Sequence, residues 1–554
     1  MKNVLSKPTV FALANLILLL SVSGCTTRNP WSLQPAQDEA AGELSEARET
    51  EAASGEPSEA GETEAVMRVV EDAVSEGLSA DGIPEEIPEV FIPDDIPGPE
   101  RISPEEAGIH DECIALIDRI IKNDVANGFP GAQLAVMRDG KLVYENAWGR
   151  INAYNPDGTI NTDSPAATTD TLYDLASVTK VFGVNYALQR LVTEGRISLD
   201  DSVSDYLGER FYEDVIDIDY IKGEEADLET QKEWKKALTL RNLITHKGGF
   251  PADPHYCHRD YDAARQEYDE EAVNPLFAGN GADEETKEAV IAAMCRTPLL
   301  YAPGTGTLYS DVNFMILGVV VEQVTGKDLD TYLKETFCSP MGLRHLTYEP
   351  LKHGFGPSDC AATELNGNTR EGAVYFDGIR TYTLQGEVHD ENAYYCMAGV
   401  SGHAGLFGSA SDLARLADVM LTGKHGDTEF FSEEVIEMFT APESATNRQW
   451  GLGWWRQGNM RRTKYFGTKA GESTFGHQGW TGTLIMIDPE KKLVIAYLTN
   501  KINTPLVDSK KNANKFRGST YTSASLGFVP DIIYTGLDQD VDAEALLKEE
   551  KWYE

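Results

Sequence analysis

Ser177-Val178-Thr179-Lys180 is the stretch on which the interpretation of this chain depends. Residues three apart lie on one face of a helix, so the amine of Lys180 can reach the hydroxyl of Ser177. A serine hydroxyl is a poor nucleophile at neutral pH until an adjacent base takes its proton. A lysine whose charged form is disfavoured by burial is such a base. Because four-residue patterns arise by chance, the stretch alone more often marks an ordinary helix start, and further motifs must decide.

A second candidate motif, Tyr309-Ser310-Asp311, follows the turn residues Pro303-Gly304 and precedes an apolar helical run at 314–324. A tyrosine in that position presents its phenol to a cleft while the helix behind it packs. A phenolate beside a lysine ammonium is a workable general base, since the positive charge lowers the tyrosine pKa.

The third motif is Phe475-Gly476-His477-Gln478-Gly479-Trp480-Thr481-Gly482-Thr483. It runs into two β-rich stretches, 484–489 and 493–500, joined by the polar turn 490–492, which predicts a hairpin. The closely spaced glycines at its start let a backbone N–H approach a substrate carbonyl, as an oxyanion hole requires.

In this order, Ser-x-x-Lys, Tyr-x-Asn (here with Asp311 in the third position) and His-x-Gly resemble the signature of the serine β-lactamase and penicillin-binding protein superfamily. The resemblance covers the chain from about Ile102 to the C-terminus. Residues 240–251 resemble a further segment of that superfamily. Residues 388–393 and 402–407 are similar to a narrower branch, the class C-like β-lactamase-related serine hydrolases and penicillin-binding proteins of the 4B type.

The resemblance implies an α+β fold of the β-lactamase/transpeptidase type. An antiparallel sheet lobe with packed helices and an all-helical lobe would then enclose a cleft. Hairpins at 131–146 and 483–498 are expected in the sheet lobe, and helices at 177–195 and 313–326 in the helical lobe. Further helices are expected at 411–421 and 543–551. The polar stretches 209–236 and 256–288 have the character of insertions beside the cleft, which either shape substrate access or decorate the surface.

By the same resemblance, the site residues are carried over one by one. They are Ser177 as nucleophile, Lys180 as its base, Tyr309 as proton relay, His477 in place of a lysine, the backbone N–H groups of Ser177 and Trp480 as the oxyanion hole, and Asp311, Gly479 and Thr481 as substrate-binding residues. The family pattern implies no cofactor and no metal ion.

Two departures from the pattern bear on the substrate. A histidine such as His477 is mostly neutral at neutral pH and is a weaker anchor for a substrate carboxylate than a lysine. Asp311 places a negative charge near the serine, which supports a protonated Lys180 and disfavours an anionic substrate.

We therefore expect a serine hydrolase that forms a Ser177 acyl-enzyme, rather than an efficient β-lactamase. Its expected substrates are D-Ala-D-Ala-type peptides of the cell wall, as for a D,D-carboxypeptidase, or small esters or amides. The alternative is a penicillin- or peptidoglycan-binding lipoprotein of the same fold without turnover.

The N-terminus resembles that of a bacterial lipoprotein. Residues 1–24 have early lysines, an apolar run too short to span a membrane and small residues before Cys25, which predicts a signal peptide and a lipidation site. We expect a membrane anchor at Cys25 and a protein facing the periplasm in the bacterial cell envelope, with Thr26 favouring the outer membrane. Residues 25–106 are expected to be an acidic, proline-rich disordered tether, because 37–106 contain 22 Asp/Glu against 3 Lys/Arg. The catalytic domain is then 107–554.

Composition excludes some partners and leaves other questions open. The formal net charge of −42 argues against nucleic acid and anionic surfaces as partners. His255-Tyr256-Cys257-His258 has metal-ligand residue types, but its spacing matches no zinc pattern. Six cysteines follow Cys25, and neither their pairing nor the oligomeric state can be read from the sequence.

Overall fold

The computed structural model describes residues 90, 92–93 and 96–537. All of them belong to the second of the two units into which the chain divides, Ile87–Glu554. The predicted signal peptide, the lipidation site Cys25, most of the predicted tether and the predicted helix at 543–551 lie outside the described residues. Within the described part, no helix combines the length and the hydropathy that crossing a membrane demands.

The described strands lie in four sheets. Their bounds are β1 (Gly131–Arg138), β2 (Lys141–Gly149), β3 (Tyr173–Asp174), β4 (Tyr261–Asp262), β5 (Glu267–Tyr268), β6 (Leu346–Tyr348), β7 (Leu406–Gly408), β8 (Lys424–His425), β9 (Thr428–Glu429), β10 (Trp455–Arg456), β11 (Phe475–Gly479), β12 (Thr483–Asp488) and β13 (Leu493–Thr499).

The described helices connect these strands. The α-helices are α1 (Asp111–Ala126), α2 (Tyr186–Thr193), α3 (Ser204–Leu207), α4 (Arg210–Glu213), α5 (Leu228–Lys236), α6 (Leu240–Ile244), α7 (Glu284–Arg296), α8 (Asp311–Thr325), α9 (Leu329–Leu333), α10 (Ser339–Met341), α11 (Ala410–Thr422), α12 (Glu433–Thr440), α13 (Thr463–Phe466) and α14 (Phe528–Gly536). Segments of 3₁₀-helix lie at Ala176–Val178, Pro350–Lys352, Pro357–Asp359, Gly367–Thr369, Arg517–Thr520 and Thr522–Ala524, and π-helical segments at Lys180–Asn185, Lys334–Cys338 and Asn392–Cys396.

The largest sheet is antiparallel and has the strand order β10-β11-β12-β13-β1-β2. Both predicted hairpins are confirmed as β1–β2 and β12–β13. The β1–β2 turn uses Asp139 and Gly140 with φ of 52° and 77°, the left-handed pair that two-residue hairpins favour. The first and last parts of the catalytic body therefore meet in one sheet, with β13 beside β1.

Helices cover the two faces of this sheet. Along β13, Val494 and Ala496 belong to the main apolar core, which includes α11, whereas the ring of Tyr497 packs 5.8 Å from that of Phe528 in α14. Because alternate strand residues point to opposite faces, a strand covered on both sides must be apolar throughout. This explains why β12 and β13 are buried at every position.

The helical lobe contains the predicted helix at 177–195 in a more irregular form than expected. The chain passes from the 3₁₀ turn Ala176–Val178 to the π-helix Lys180–Asn185 and only then into α2. The prediction of one uniform helix was therefore wrong for its first two turns, and such π-helical segments are frequent at functional sites. The predicted helix at 313–326 is confirmed as α8, which ends at Gly326 with φ of 70°. Together with the sheet lobe, these helices give the expected α+β fold.

Contacts of the catalytic body begin before Ala107, where the sequence places its start. Arg101 forms a parallel bridge to Leu142 beside β2, and Lys141 pairs with Glu100 at 2.8 Å. The residues just before position 107 therefore lie against the edge of the large sheet.

The two polar stretches that look like insertions contain short elements. The first includes α4 and α5, and the second includes the β4–β5 pair and the start of α7. Lys235 of α5 is buried and donates hydrogen bonds to backbone carbonyls at the end of α7, those of Met294 (3.2 Å), Cys295 and Thr297 (3.1 Å). The six cysteines of the described part are all buried and form no disulfide there.

Candidate active site

The nucleophile candidate lies on a strained turn. Ala176, directly before Ser177, has φ of 46°, a left-handed conformation that side chains with a Cβ rarely adopt. The carboxylate of Asp174 supports the turn by accepting a hydrogen bond from the Ala176 N–H at 2.8 Å. Ser177 is half-buried, so its hydroxyl lies at the surface of the cleft.

Lys180 has three hydrogen-bond acceptors around its amine. Its Nζ donates to Ser177 Oγ at 3.0 Å and to the carbonyl of His403 at 3.0 Å, and it pairs with Asp311 Oδ1 at 2.7 Å. Burial of the amine lowers the lysine pKa and is the largest single effect, but the charge of Asp311 and the interactions with Asp311 and Tyr309 together raise the pKa above its ordinary value. Burial alone would favour an uncharged Lys180, but the expectation that Asp311 supports the protonated form is confirmed, because Asp311 compensates the buried cation.

Tyr309 converges on the same two groups. Its hydroxyl forms hydrogen bonds with Lys180 and Ser177, and the Lys180 Nζ lies 4.9 Å from the centre of its ring. Burial and the charge of Asp311 raise the tyrosine pKa, and they outweigh the opposite effect of Lys180. The predicted lowering of the Tyr309 pKa was wrong, because burial of the phenol, assisted by the charge of Asp311, exceeds the effect of Lys180. In the resting site both the amine and the phenol carry their protons.

His246 packs against Tyr309 from behind, with ring centres 4.3 Å apart. Its Nδ1 accepts a hydrogen bond from the backbone N–H of Ser310 at 3.2 Å and lies 3.3 Å from the amide of Asn313. Burial, followed by the charge of Lys180, keeps the pKa of His246 well below its usual value. A neutral imidazole that accepts at Nδ1 therefore fixes the start of α8 and the ring of Tyr309.

His477 is also a neutral imidazole. Burial and the charge of Lys180 lower its pKa to about 3, in agreement with the expectation that it is uncharged. Its Nδ1 lies 2.8 Å from the carbonyl of Gln478 and donates to it, so Nε2 carries a lone pair rather than a proton. A lone pair repels a carboxylate, and His477 therefore cannot replace the charge of the family's lysine.

The strand that would supply the second oxyanion N–H is joined directly to the nucleophile turn. Thr481 Oγ1 donates to the Asp174 carbonyl at 2.8 Å, and Thr483 Oγ1 donates to the Leu175 carbonyl at 2.9 Å. A Cβ at Gly479 would lie 2.3 Å from the Leu175 carbonyl, so only glycine permits this approach. The segments of Ser177 and Trp480 thus meet, as the predicted oxyanion hole requires. The hydroxyl of Thr481, predicted to contact substrate, is buried and already donates to Asp174.

Asp311, Asp390 and His403 have potential metal-ligand atoms within 4.8 Å of one another. Each carboxylate already pairs with a cation of the chain, since Asp390 Oδ1 lies 2.8 Å from His403 Nε2 and Asp311 Oδ1 lies 2.7 Å from Lys180. Burial depresses the pKa of His403, but Asp390 and Asp311 outweigh it and raise that pKa, while His403 holds the pKa of Asp390 low. The four side chains form a cluster of alternating charges, so the cluster is not assigned as a metal site.

Sequence reasoning missed a cation at the site, Arg462. Its guanidinium stacks 3.9 Å from the ring centre of Trp455 and 4.9 Å from that of Trp450. Trp455 is 4.7 Å from His477, which places the guanidinium on the His477 side of the site. Arg462 is only 7% exposed, and among the described residues it has no carboxylate within ion-pair distance and no hydrogen-bond partner for its Nε. Nothing in the local sequence of Arg462 distinguishes it from a surface arginine.

Asp174 and the paired His403 and Asp390 are further residues whose roles sequence reasoning did not foresee. Asp174 lies three residues before the nucleophile within a stretch read only as a helix approach. His403 and Asp390 lie in segments that resemble the family, for which the sequence predicts a close-packed turn and a loop cap or structural hydrogen-bond network, respectively, rather than a charged pair. Only the folded chain brings them next to Ser177 and Lys180.

Comparison with known proteins agrees with this geometry. The sequence model of the family described as Beta-lactamase matches residues 117–517. A protein of Escherichia coli K12 named "Putative D-alanyl-D-alanine carboxypeptidase" is 42% identical over 439 residues, which cover 79% of this chain and 93% of the relative. A protein of the same name from Salmonella agona is 40% identical over 78% of this chain and 93% of its own length.

Two solved structures show the fold. Simvastatin synthase (LovD) from Aspergillus terreus superposes with a TM-score of 0.53 at 18% identity and covers 77% of this chain and 99% of its own. A penicillin-binding protein homologue from Caulobacter crescentus gives a TM-score of 0.51 at 20% identity, over 77% of this chain and 98% of its own. The match of the family model over most of the catalytic body, together with these relatives, shows that the chain belongs to the beta-lactamase family of serine hydrolases.

Proposed function

We propose that the protein is a D-alanyl-D-alanine carboxypeptidase, which removes the C-terminal D-alanine of cell-wall peptides through an acyl-enzyme on Ser177. The proposal draws on the name of the relatives and on one observation, the unpaired cation of Arg462 beside His477. A carboxypeptidase must recognise the free carboxylate at the end of its substrate, whereas an esterase has no such need.

Arg462 provides the unpaired positive charge that a substrate carboxylate needs and that the other cationic positions of the site do not supply. His477 is neutral, Lys180 is neutralised by Asp311, and Arg462 alone of these three keeps an uncompensated charge. Burial of an unpaired guanidinium is unfavourable and lowers its pKa to about 10, so an incoming carboxylate regains free energy there. The planar guanidinium also matches a carboxylate in two parallel hydrogen bonds.

The reaction requires a state in which the Lys180–Tyr309 pair has lost one of the protons that it holds in the resting site. In that state the pair accepts the proton of Ser177 as Oγ bonds to the substrate carbonyl carbon. The proton then passes to the departing amine of D-alanine as the C–N bond breaks. In the second half, the same pair takes a proton from water as the water oxygen bonds to the acyl carbon, and it passes that proton to Ser177 Oγ as the bond between Oγ and the acyl carbon breaks.

We also propose that the protein acts at the bacterial envelope as a lipoprotein. Cys25 follows an apolar run and small residues, and its acylation would hold the catalytic body on the periplasmic side of a membrane. Treating cells with radiolabelled palmitate should label the wild-type chain, and the variant Cys25→Ser should remain unlabelled. Label on the Cys25→Ser variant would contradict this site.

The carboxypeptidase proposal is tested with a peptide ending in D-Ala-D-Ala and the same peptide with a C-terminal amide. The free acid should be hydrolysed with a kcat/KM at least about tenfold above that of the amide, since only the acid pairs with Arg462. Arg462→Gln should reduce kcat/KM for the acid by roughly 30-fold or more, and it should narrow the difference in kcat/KM between the free acid and the amide. Arg462→Lys is the matched control, because it keeps the charge and loses only the second hydrogen bond.

Three results separate the alternatives. Equal rates for acid and amide, unaffected by Arg462→Gln, would remove the carboxypeptidase proposal. Labelling of Ser177 by a fluorophosphonate, together with rapid turnover of a short nitrophenyl ester but of neither peptide, would identify an esterase. Slow label from a fluorescent penicillin without turnover of either peptide would identify a penicillin-binding protein. Ser177→Ala should abolish every one of these signals.

A further inference from the structure

Asp174 is a buried carboxylate with an unusual set of partners. It is 3% exposed, and within the described part of the chain no Lys, Arg or His lies within ion-pair distance of it. Its Oδ1 accepts the N–H of Ala176 at 2.8 Å, and its Oδ2 accepts the N–H of His389 at 2.7 Å. Burial of a carboxylate without a neighbouring cation is unfavourable unless hydrogen bonds stabilise the charge. The burial of Asp174 therefore costs free energy of folding.

The Ala176 bond supports the turn of the nucleophile. At φ of 46° this alanine is in the left-handed region, from which an L-residue relaxes unless its surroundings prevent it. The carboxylate oxygen two residues earlier fixes the N–H of Ala176 and with it the direction in which Ser177 leaves the turn. The directions in which the Ser177 hydroxyl and its backbone N–H point therefore depend on this contact.

The other two bonds of Asp174 lead to the strand of the second oxyanion N–H. The backbone carbonyl of Asp174 accepts the hydroxyl of Thr481, the residue after Trp480, at 2.8 Å. His389, whose backbone N–H donates to Oδ2, stacks its ring on that of Trp480 with ring centres 5.0 Å apart. The Nε2 of His389 forms a hydrogen bond of 2.9 Å with Glu364. Asp174 thus contacts the Ser177 segment directly and the Trp480 segment from two sides.

We propose that Asp174 is a positioning residue for acyl transfer, which holds the Ala176 turn and sets the spacing between the N–H groups of Ser177 and Trp480. Its carboxylate touches neither substrate nor the reacting atoms and acts through Ala176 and His389, while its backbone carbonyl accepts the hydroxyl of Thr481. The inference rests on Ser177 being the acylated residue, but it does not depend on which peptide or ester supplies the acyl group.

The test compares Asp174→Ala, Ala176→Gly and the double variant in the full chain. The readouts are the rate at which a fluorophosphonate labels Ser177, followed by intact mass, and the kcat and KM for a neutral nitrophenyl ester. Asp174→Ala should slow labelling by about 100-fold, since a displacement of about 1 Å has that effect, with the loss in kcat rather than KM. Glycine adopts φ of 46° without support, so the double variant should regain at least about tenfold of the labelling rate relative to Asp174→Ala.

Thermal unfolding of the same variants distinguishes positioning from stability. If Ala176→Gly restores the melting temperature of Asp174→Ala but not its labelling rate, the role of Asp174 is only structural and the proposal fails. It also fails if Asp174→Ala labels at the wild-type rate.

Asp174→Asn keeps the test valid should Asp174→Ala not fold, because its single amide oxygen accepts only one of the two backbone N–H groups, of Ala176 and His389, that the carboxylate binds. It should slow labelling several-fold, and a wild-type rate would overturn the proposed role of the carboxylate. These results are independent of the carboxypeptidase proposal, which fails on peptide hydrolysis while labelling by fluorophosphonate persists.

Discussion

The carboxylate of Asp311 lies 2.7 Å from the amine of Lys180, the lysine that follows the nucleophile by one helical turn. This contact raises the pKa of Lys180 above its ordinary value despite complete burial, and the same charge raises the pKa of Tyr309. Both groups that could take the proton of Ser177 are therefore protonated at rest. The acidity of the site is set by a residue where the family pattern has a neutral amide.

Asp311→Asn should move the pH dependence of the reaction to lower pH. Activity requires the Lys180–Tyr309 pair to lose one proton, so kcat/KM rises with pH through the apparent pKa of the pair. Asp311 raises both pKa values, and its removal lowers them, so the rising limb should shift down by about one pH unit or more. The pH profile of ester hydrolysis measures this. Glu391→Gln is the control, since Glu391 pairs with Arg370 at 3.4 Å, and a profile that does not move in Asp311→Asn would contradict the assignment.

Removal of His403 should destabilise the protein in a pH-dependent way. Its pKa is raised by Asp390 and Asp311, so its contribution is complete below pH 6.5 and is lost as pH rises through the folded-state value. The pair His403–Asp390, at 2.8 Å, has a buried imidazole and a carboxylate that is one third exposed, so breaking it should cost about 1 to 2 kcal/mol, less than for a fully buried pair. Urea unfolding of His403→Gln and wild type should differ most in mildly acidic buffer and converge at alkaline pH. A difference that grows with pH would show that His403 is not the cation of the pair.

Gly479→Ala should abolish acylation while leaving the fold largely intact. The added Cβ would lie 2.3 Å from the Leu175 carbonyl and 2.2 Å from Thr483 Oγ1, so β11 must move away from the nucleophile turn. We expect fluorophosphonate labelling to fall by about 100-fold, because the two oxyanion N–H groups separate. Gly471→Ala is the matched control, since a Cβ there lies 3.7 Å from its nearest neighbour, Glu490. Normal labelling in Gly479→Ala would contradict the predicted oxyanion hole.

Lys235→Met should alter how stability depends on pH. Burial lowers the pKa of Lys235 to about 7, from 10.5, so its charged form opposes folding below pH 7 and the penalty fades as pH rises toward 10.5. The shift corresponds to a penalty on the order of 4 kcal/mol at acidic pH, partly offset by the hydrogen bonds to the end of α7. Relative to wild type, Lys235→Met should gain free energy of unfolding at pH 6 and lose that advantage near pH 10. Parallel curves for the two proteins would show that Lys235 does not titrate in the fold.

The positions of Ser177, Lys180, Tyr309 and His477 were predictable because their signals are local. Helical spacing, a Pro-Gly turn and a glycine-rich strand entrance are all readable within ten residues. The charge state of Tyr309 was not predictable, since burial and neighbouring charges act on its pKa in opposite directions and only the distances decide between them. At Lys180 the predicted effect of Asp311 is confirmed, because the charge of Asp311 raises the pKa above its ordinary value although burial lowers it.

The cation of Arg462 and the partners of Asp174 could not be read from the sequence. A buried unpaired guanidinium is recognisable only by the absence of a carboxylate around it in the described part of the fold. Asp174 meets His389 and Thr481, which lie more than 200 residues further along the chain. Likewise, the 3₁₀ and π turns around Lys180 could not be read from the sequence, because the apolar pattern of 181–192 indicates only a helix.

The hydroxyls of Thr481 and Thr483 donate to the carbonyls of Asp174 and Leu175. These two bonds connect the sheet lobe to the helical lobe beside the nucleophile turn. Separating the lobes at this point would break both bonds and pull apart the groups that stabilise the oxyanion. We therefore expect little hinge motion during turnover. Crystals of the free and acylated enzyme should superpose with the two lobes in the same relative orientation.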